Sequence, residues 1–400
     1  MNEAPAPVPQ IPSEATAAGI TFSGGRSDFR RLITRGALLE LVTLTLYRFW
    51  LATDMRRHLW SHTSVGGNAL EYTGTAKELL IGFLFAIAIL VPVYLVYFFI
   101  GLEAEHLQAF ASIPLFIFFY LFFQFAIYRA RRYRLTRTVW RGVRFWMTGS
   151  GWSYAWRAVL WTLLAIVTLG LALPWQQAVL ERYKMRHSHY GDLPGRFVGT
   201  GADLFKRCWW LWLAAILILV VLGALAAVSP VAALILFVPA LVGFPCVYAA
   251  YKAIGWRWWV SGIRFGDVSF ESKLSTGALL GVYWKVIGWG VLLLVALAAW
   301  MAGVVGLVFA NSRASGLTEE HMAATLQSPP VLIMMILGYL AAAVVFGLVM
   351  RLYLARDVWE RVASSTIVHN LSAAENVAAR GEAAGALGEG LADGLDVGGF

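Results

Sequence analysis

The sequence predicts an all-α polytopic membrane protein. Six to eight transmembrane helices are arranged in tandem repeats, with short β-hairpin joints on the cytoplasmic side. Three observations carry this expectation. Of the 400 residues, 59% are hydrophobic and only 14% charged, where soluble domains carry about 25% charged residues. Several apolar runs reach the roughly 20 residues that a bilayer crossing needs. A family of short motifs also recurs at a fixed spacing of 125 residues, as in His62 and His187, and such repeats define the architecture before any single element does.

Residues 1–20 are rich in Ala and Pro, contain Glu3 and Glu14, and have no apolar core. They read as a disordered leader rather than a secretory signal. The clear apolar runs are 79–100, 107–128, 209–228, 230–251 and 331–350, with a sixth at 286–309 behind Lys285. Two further segments, 32–51 and 157–175, are shorter or carry charges, among them Arg35, Glu40 and Arg48. The expected organisation is a leader (1–20), a first membrane repeat (21–146), a second (147–271), a partial third with a helical hairpin (272–370) and a mobile tail (371–400) rich in Ala, Gly and acids.

The repeat is read residue by residue. Val42-Thr43-Leu44-Thr45-Leu46 with Trp50 matches Val167-Thr168-Leu169-Gly170-Leu171 with Trp175. His62-Thr63 matches His187-Ser188, and Gly74-Thr75 matches Gly199-Thr200. Upstream, Phe22, Gly24 and Phe29 match Met147, Gly149 and Tyr154. A second pattern pairs Arg137, Gly142, Arg144 and Phe145 with Arg257, Gly262, Arg264 and Phe265 at an offset of 120, and Val139-Trp140 echoes Val358-Trp359. The polar joints, such as 62–74 around Gly66-Gly67, have the β-branched and aromatic content of short hairpins.

Orientation follows from Lys and Arg in short loops. Residues 129–146 hold seven Arg and no acid, whereas 101–106 holds Glu103 and Glu105 and no base. The Arg-rich joints are therefore expected in the cytoplasm, as is the C-terminus. If 157–175 crossed the membrane, two basic joints would fall on opposite faces. The reading adopted has six crossings in three hairpins, with 32–51 and 157–175 entering and leaving on the cytoplasmic side; eight full crossings is the alternative.

Taken together, Phe22-Ser-Gly24 with Phe29, Leu-Val-Thr-Leu-Thr-Leu-Tyr-Arg-Phe-Trp50, Arg57 to His62-Thr63, Tyr72-Thr-Gly74-Thr75 and the closing Gly388-Glu-Gly-Leu-Ala-Asp-Gly-Leu-Asp396 resemble the YjgN family of bacterial inner-membrane proteins of unknown function. The resemblance runs over nearly the whole chain after residue 20, with Thr45 standing where the family commonly has Gly. It implies an inner-membrane location and supplies no activity, ligand or functional residue.

Chemistry is sparse. His62 and His187 occupy matched places, but a metal site needs three or four converging ligands, and a histidine bonded within its own turn is the simpler reading. Glu40, Arg48 and Lys285 lie in or against apolar segments, where ionisable groups are costly and often functional; snorkelling bases at an interface are the plain alternative. Arg137, Arg144 and Arg264 belong to basic joints that either contact lipid phosphates or fix topology. No nucleophile, base and orienter stand together, so no enzyme and no cofactor are expected. The net charge of +9 is split among loops between apolar spans, which argues against nucleic acid. The function expected is transporter-like or lipid-interacting, with membrane lipid as the partner. The alternative is a scaffold or assembly factor for a membrane protein partner.

Overall fold

A computed structural model describes residues 17–103, 105–315 and 324–381. Two short helices follow a first strand, β1 (Ala18–Phe22): α1 (Arg26–Val42) and α2 (Arg48–Ser61). A hairpin β2 (Thr63–Val65) and β3 (Asn68–Tyr72) leads to a long helical pair, α3 (Ala76–Glu103) and α4 (Glu105–Thr136), and then to β4 (Thr138–Trp140) and β5 (Val143–Met147). The same succession recurs as α5 (Gly151–Val167), α6 (Leu173–Arg186), β6 (Ser188–Tyr190), β7 (Leu193–Phe197), α7 (Gly201–Val228), α8 (Pro230–Gly262), β8 (Ile263–Phe265) and β9 (Val268–Ser272). The chain then runs through α9 (Leu280–Ala314) and α10 (Pro329–Met350). A π-helical turn (Arg351–Asp357) and α11 (Val358–Ser364) lead into β10 (Thr366–His369).

The strands overturn the all-α expectation. They do not stay as separate hairpin joints but form one closed antiparallel barrel in the order β1-β10-β9-β8-β7-β6-β5-β4-β3-β2. The physical reason lies in their length. Strands of three to five residues make hairpins that are marginal alone, and each leaves two unpaired edges. Edge-to-edge pairing of successive hairpins removes every edge: Leu70 faces Trp140, Phe145 faces Tyr190, and Phe197 faces Ile263. The two strands nearest the chain ends close the ring, with Ala18 opposite Val368. The first of them begins at Ala18, inside the stretch read as leader.

Two-residue turns fix the hairpin register. Gly66 and Gly67 at φ 55° and 79°, Arg141 and Gly142 at 49° and 76°, and Gly191 and Gly266 at 54° supply the left-handed backbone that matches strand twist. The barrel interior is a packed core rather than a channel. Trp140, Tyr190, Val268 and Val368 are buried there with Leu371 and Ala374 from the turn after β10. The Tyr190 ring lies 4.6 Å from Phe145 and 5.5 Å from Trp140.

Every helical pair leaves the barrel and returns to it. Among the described residues, five helices are long and apolar enough to cross a membrane, in α3, α4, α7, α9 and the run from α10 to α11. Their apolar faces point outward: only 6% of the apolar window of α7 is buried within the protein, far more exposed apolar surface than a soluble monomer carries.

The segments 32–51 and 157–175 are each two helices rather than one. The break falls at Leu44-Thr45 (φ 49° and 72°) and at Leu169-Gly170 (φ 50° and 87°), left-handed positions that a helix cannot contain. Thr43 donates to Leu39 O (2.7 Å) and accepts from Tyr47 N (3.0 Å). Thr168 does the same with Leu164 O (2.8 Å) and Ala172 N (3.1 Å). Each hydroxyl thus ties the last turn of one helix to the residue that precedes the next. Matched Gly-Thr pairs also acquire a role: Thr75 exchanges hydrogen bonds with Glu78, and Thr200 accepts from Asp203 N, capping α3 and α7.

The second sequence pattern fares differently. Gly142 lies in the β4–β5 turn whereas Gly262 ends α8, so the offset of 120 joins unlike positions; α4 to β5 and α8 to β9 align at 125 at β4 and β8. Val139-Trp140 is strand and Val358-Trp359 is helix, so that echo is not structural either. Residues 316–323, with Glu319 and Glu320, and the part of the expected tail from 382 lie outside the described residues.

Candidate functional site

Below the barrel, the ends of α2, α4, α6, α8 and α11 surround a chamber of about 640 Å³. This is within the ~300–1,000 Å³ range of ordinary ligand sites. Five tryptophans line it: Trp60, Trp256, Trp258, Trp259 and Trp359. They are held in place. Trp60 and Trp359 stack at 4.8 Å, Trp60 Nε1 donates to Thr138 Oγ1 (2.9 Å), and Trp359 Nε1 donates to Thr63 Oγ1 (2.9 Å).

The chamber charges are Arg131, Arg134, Lys184 and Lys252 against a single carboxylate, Glu181. Spacing on α6 explains the local grouping: Gln177, Leu180, Glu181 and Lys184 recur at three and four residues, which places them on one helix face. Glu181 accepts from Arg131 Nη1 (2.9 Å), from Trp259 Nε1 (2.9 Å) and from Lys184 Nζ. Burial on its own would push the Glu181 carboxyl up. The Lys184 ammonium and the Arg131 guanidinium outweigh it, with the hydrogen bonds from Lys184 and Trp259, and hold the acid down at about 2. Glu181 is therefore an ionised strut that orients two cations, not a proton donor. Burial also lowers Lys184, opposed by Glu181.

Lys252 sits 5.5 Å over the Tyr248 ring, and no ion pair among the described residues involves it. The arrangement offers cations and aromatic faces to a ligand. It offers no nucleophile beside a base, and no group of three metal-ligating side chains occurs among the described residues.

The residues singled out from sequence are dispersed outside the chamber. Glu40 accepts from Arg351 at 2.8 Å, tying α1 to the end of α10. The Arg48 guanidinium lies over Phe83 (4.4 Å) and Phe49 (4.8 Å). His62 and His187 occupy the C-caps of α2 and α6, each with Nδ1 2.7 Å from the carbonyl four residues back, His58 O and Tyr183 O. Arg137 pairs with Glu78 (2.5 Å). Arg144 donates to Thr136 O (2.6 Å), and Arg264 to Ile263 O (2.7 Å). Lys285 is exposed on α9.

The Arg run 129–144 supplied two chamber residues, Arg131 and Arg134. Glu181, Lys184 and Lys252 are not among the residues that the sequence singles out. The helical spacing of Gln177, Leu180, Glu181 and Lys184 was the available signal.

The family model described as "Bacterial protein of unknown function (DUF898)" matches residues 18–295, more than half of the chain and both successions of elements; it is the family that the resemblance to YjgN names. No curated protein and no solved structure matches the chain.

Proposed function

Because the chain belongs to the DUF898 family of bacterial proteins of unknown function, we propose its role from the site itself: a multi-pass inner-membrane protein, transporter-like or lipid-interacting and not an enzyme, that binds an anionic ligand in the chamber beneath the barrel. The observation that carries this is Lys252, a chamber cation that no ion pair among the described residues involves, set among five tryptophans beside the committed Arg131–Glu181–Lys184 cluster. A desolvated site with excess positive charge favours an anion, and tryptophan rings suit the membrane–water interface where lipid headgroups lie.

Topology supports the same reading. Since all helical pairs start and end at one barrel, three long pairs give six crossings and the two short pairs enter from one side. The Arg-rich barrel side is cytoplasmic by the positive-inside rule, with β10 and the described residues after it on the same side. Cysteines placed at Ser64 and His189 are then labelled from the same face by an impermeant thiol reagent. Labelling from opposite faces would defeat this topology.

The ligand reading is tested by tryptophan quenching in purified protein held in neutral detergent. Brominated phosphatidylglycerol should quench more strongly than brominated phosphatidylcholine. Lys252→Gln should weaken the anionic lipid about fivefold, the value of one basic residue near a lipid surface. Equal quenching by both lipids, unchanged in the variant, defeats it. A second reading, a scaffold for a membrane protein partner, draws on the filled interior of the barrel; a stoichiometric protein and no lipid in the purified material would favour it.

A further inference from the structure

A second cavity of about 250 Å³ adjoins the chamber, and its walls are apolar. It lies between the α5–α6 turn and the α7–α8 pair, lined among others by Leu173, Phe205, Trp209, Trp212, Ala215 and Phe244. Trp209 is 47% and Phe244 37% exposed, so the cavity opens on the outer, apolar surface of the helices. Tyr251 lines both spaces. Its hydroxyl accepts from Gln177 Nε2 at 2.5 Å, and Gln177 itself faces the chamber, so this one pair stands between the two.

The order of the two spaces is the same on two separate helices. On α8, cavity residues Phe244, Val247 and Tyr248 precede Tyr251, and chamber residues Lys252, Trp256 and Trp259 follow it toward the barrel. At ~1.5 Å per residue, the apolar part and the charged part are each about 10 Å long. On α6, Leu173 and Pro174 line the cavity, whereas Gln177, Glu181 and Lys184 line the chamber nearer the barrel. Apolar space away from the barrel and cationic space beside it is the polarity of an amphiphile standing in a membrane leaflet.

We propose that cavity and chamber form one bipartite site for an anionic amphiphile, with one hydrocarbon chain between α6, α7 and α8 and the acidic headgroup beside Lys184 and Lys252. The proposal rests on the anion-binding reading of the chamber and adds the chain. The cavity lies just below the ~300 Å³ of the smallest ordinary ligand pockets, so it takes a chain without its headgroup. A second chain, where the ligand has one, stays in the bilayer. Entry is lateral, through the open side at Trp209 and Phe244, and the headgroup passes Tyr251.

The test uses the full chain in phosphatidylcholine nanodiscs and dodecanoic acid carrying a diazirine at the chain terminus, photolysed and mapped by peptide mass spectrometry. Adducts should concentrate on α7 and α8 around Trp209, Trp212 and Phe244. The matching alcohol, which lacks the charge, should give about 25-fold fewer, as expected from the attraction of two bases at about fivefold each. Ala215→Trp should remove cavity adducts at least about tenfold, since each methylene displaced forfeits roughly fourfold in affinity. Ala215→Leu, a milder filling, should act in the same direction. Adducts spread evenly over the exposed faces of all three long pairs, or equal yields from acid and alcohol, overturn the bipartite site. If brominated phosphatidylglycerol still quenches selectively while adducts spread, the chamber reading survives and only the chain placement falls. If selectivity is absent as well, both fall.

Discussion

The first succession of elements, α1 to β5, and the second, α5 to β9, have the same order and nearly the same lengths, yet only the second holds the cavity and most of the chamber. At the spacing of 125, Leu173, Cys208 and Ala215 of the cavity correspond to Arg48, Phe83 and Leu90. In the first copy these larger groups close the space: Phe49 and Phe83 pack at 5.2 Å, the Arg48 guanidinium covers Phe83, and Leu90 packs with Phe122 and Ala126. Glu181 corresponds to Arg56, which is buried and donates to Tyr72 Oη at 3.4 Å. One backbone plan thus serves twice: in the first copy the matched positions of α2 and α3 are filled, leaving a groove of about 370 Å³ along Phe119, Phe122 and Phe123 of α4 alone, and in the second the matched positions stand open between α6, α7 and α8. The difference is made by side-chain volume and one reversal of charge.

The largest effect expected from breaking this contrast is at Glu181. Glu181→Gln leaves Arg131 and Lys184 facing each other in a part-buried site and should cost about 3–5 kcal/mol, read as a fall in unfolding free energy in detergent. The carboxyl is lowered from 4.5 to about 2 in the folded state. Its contribution is therefore complete above the unfolded pKa and is lost as pH falls from about 5 toward about 2. Glu181→Gln should flatten that acid limb, and an unchanged limb would remove Glu181 from the account. Arg56→Gln, the matched change in the first copy, should cost at least about 1.5–3 kcal/mol, the value of a hydrogen bond from a charged group such as that to Tyr72. A loss as large as at Glu181 would mean that the two copies are equally dependent on buried charge.

Next come the helix breaks. Gly170 at φ 87° and Thr45 at φ 72° hold matched left-handed positions. Gly170→Thr should destabilise by about 1–2 kcal/mol, and Thr45→Gly should gain up to about 1 kcal/mol. Thermal midpoints of the two variants moving in the same direction would show that the turns are not equivalent. The smallest effect is expected at Thr43→Val and Thr168→Val. Each loses one side-chain hydroxyl that both donates and accepts, about 0.5–1.5 kcal/mol, and the two losses should agree. A neutral result at one site only would break the symmetry of the caps.

Much of this was legible in the residues. The spacing of 125 located matched helices because equal environments select equal residues: Thr43 and Thr168 cap the same break, His62 and His187 end the same helix, and Trp50 and Trp175 are equally exposed at 38%. Thr45, matched by Gly170 in the second copy, marks a position where the backbone is left-handed. Other features were not legible. Trp60 and Thr138 are 78 residues apart, and so are Glu181 and Trp259. No local pattern reports which distant ring will complete a carboxylate.

Composition and periodicity alone determined the apolar helices, the paired repeat and the basic face, because hydrophobic length and short-range spacing are properties of contiguous sequence. The closed barrel and the chamber were decided only in three dimensions. A three-residue strand such as Thr138–Trp140 has no preference strong enough to declare a sheet, and it gains stability only when hairpins far apart in sequence pair and leave no edge. The chamber exists because that ring holds the helix ends apart.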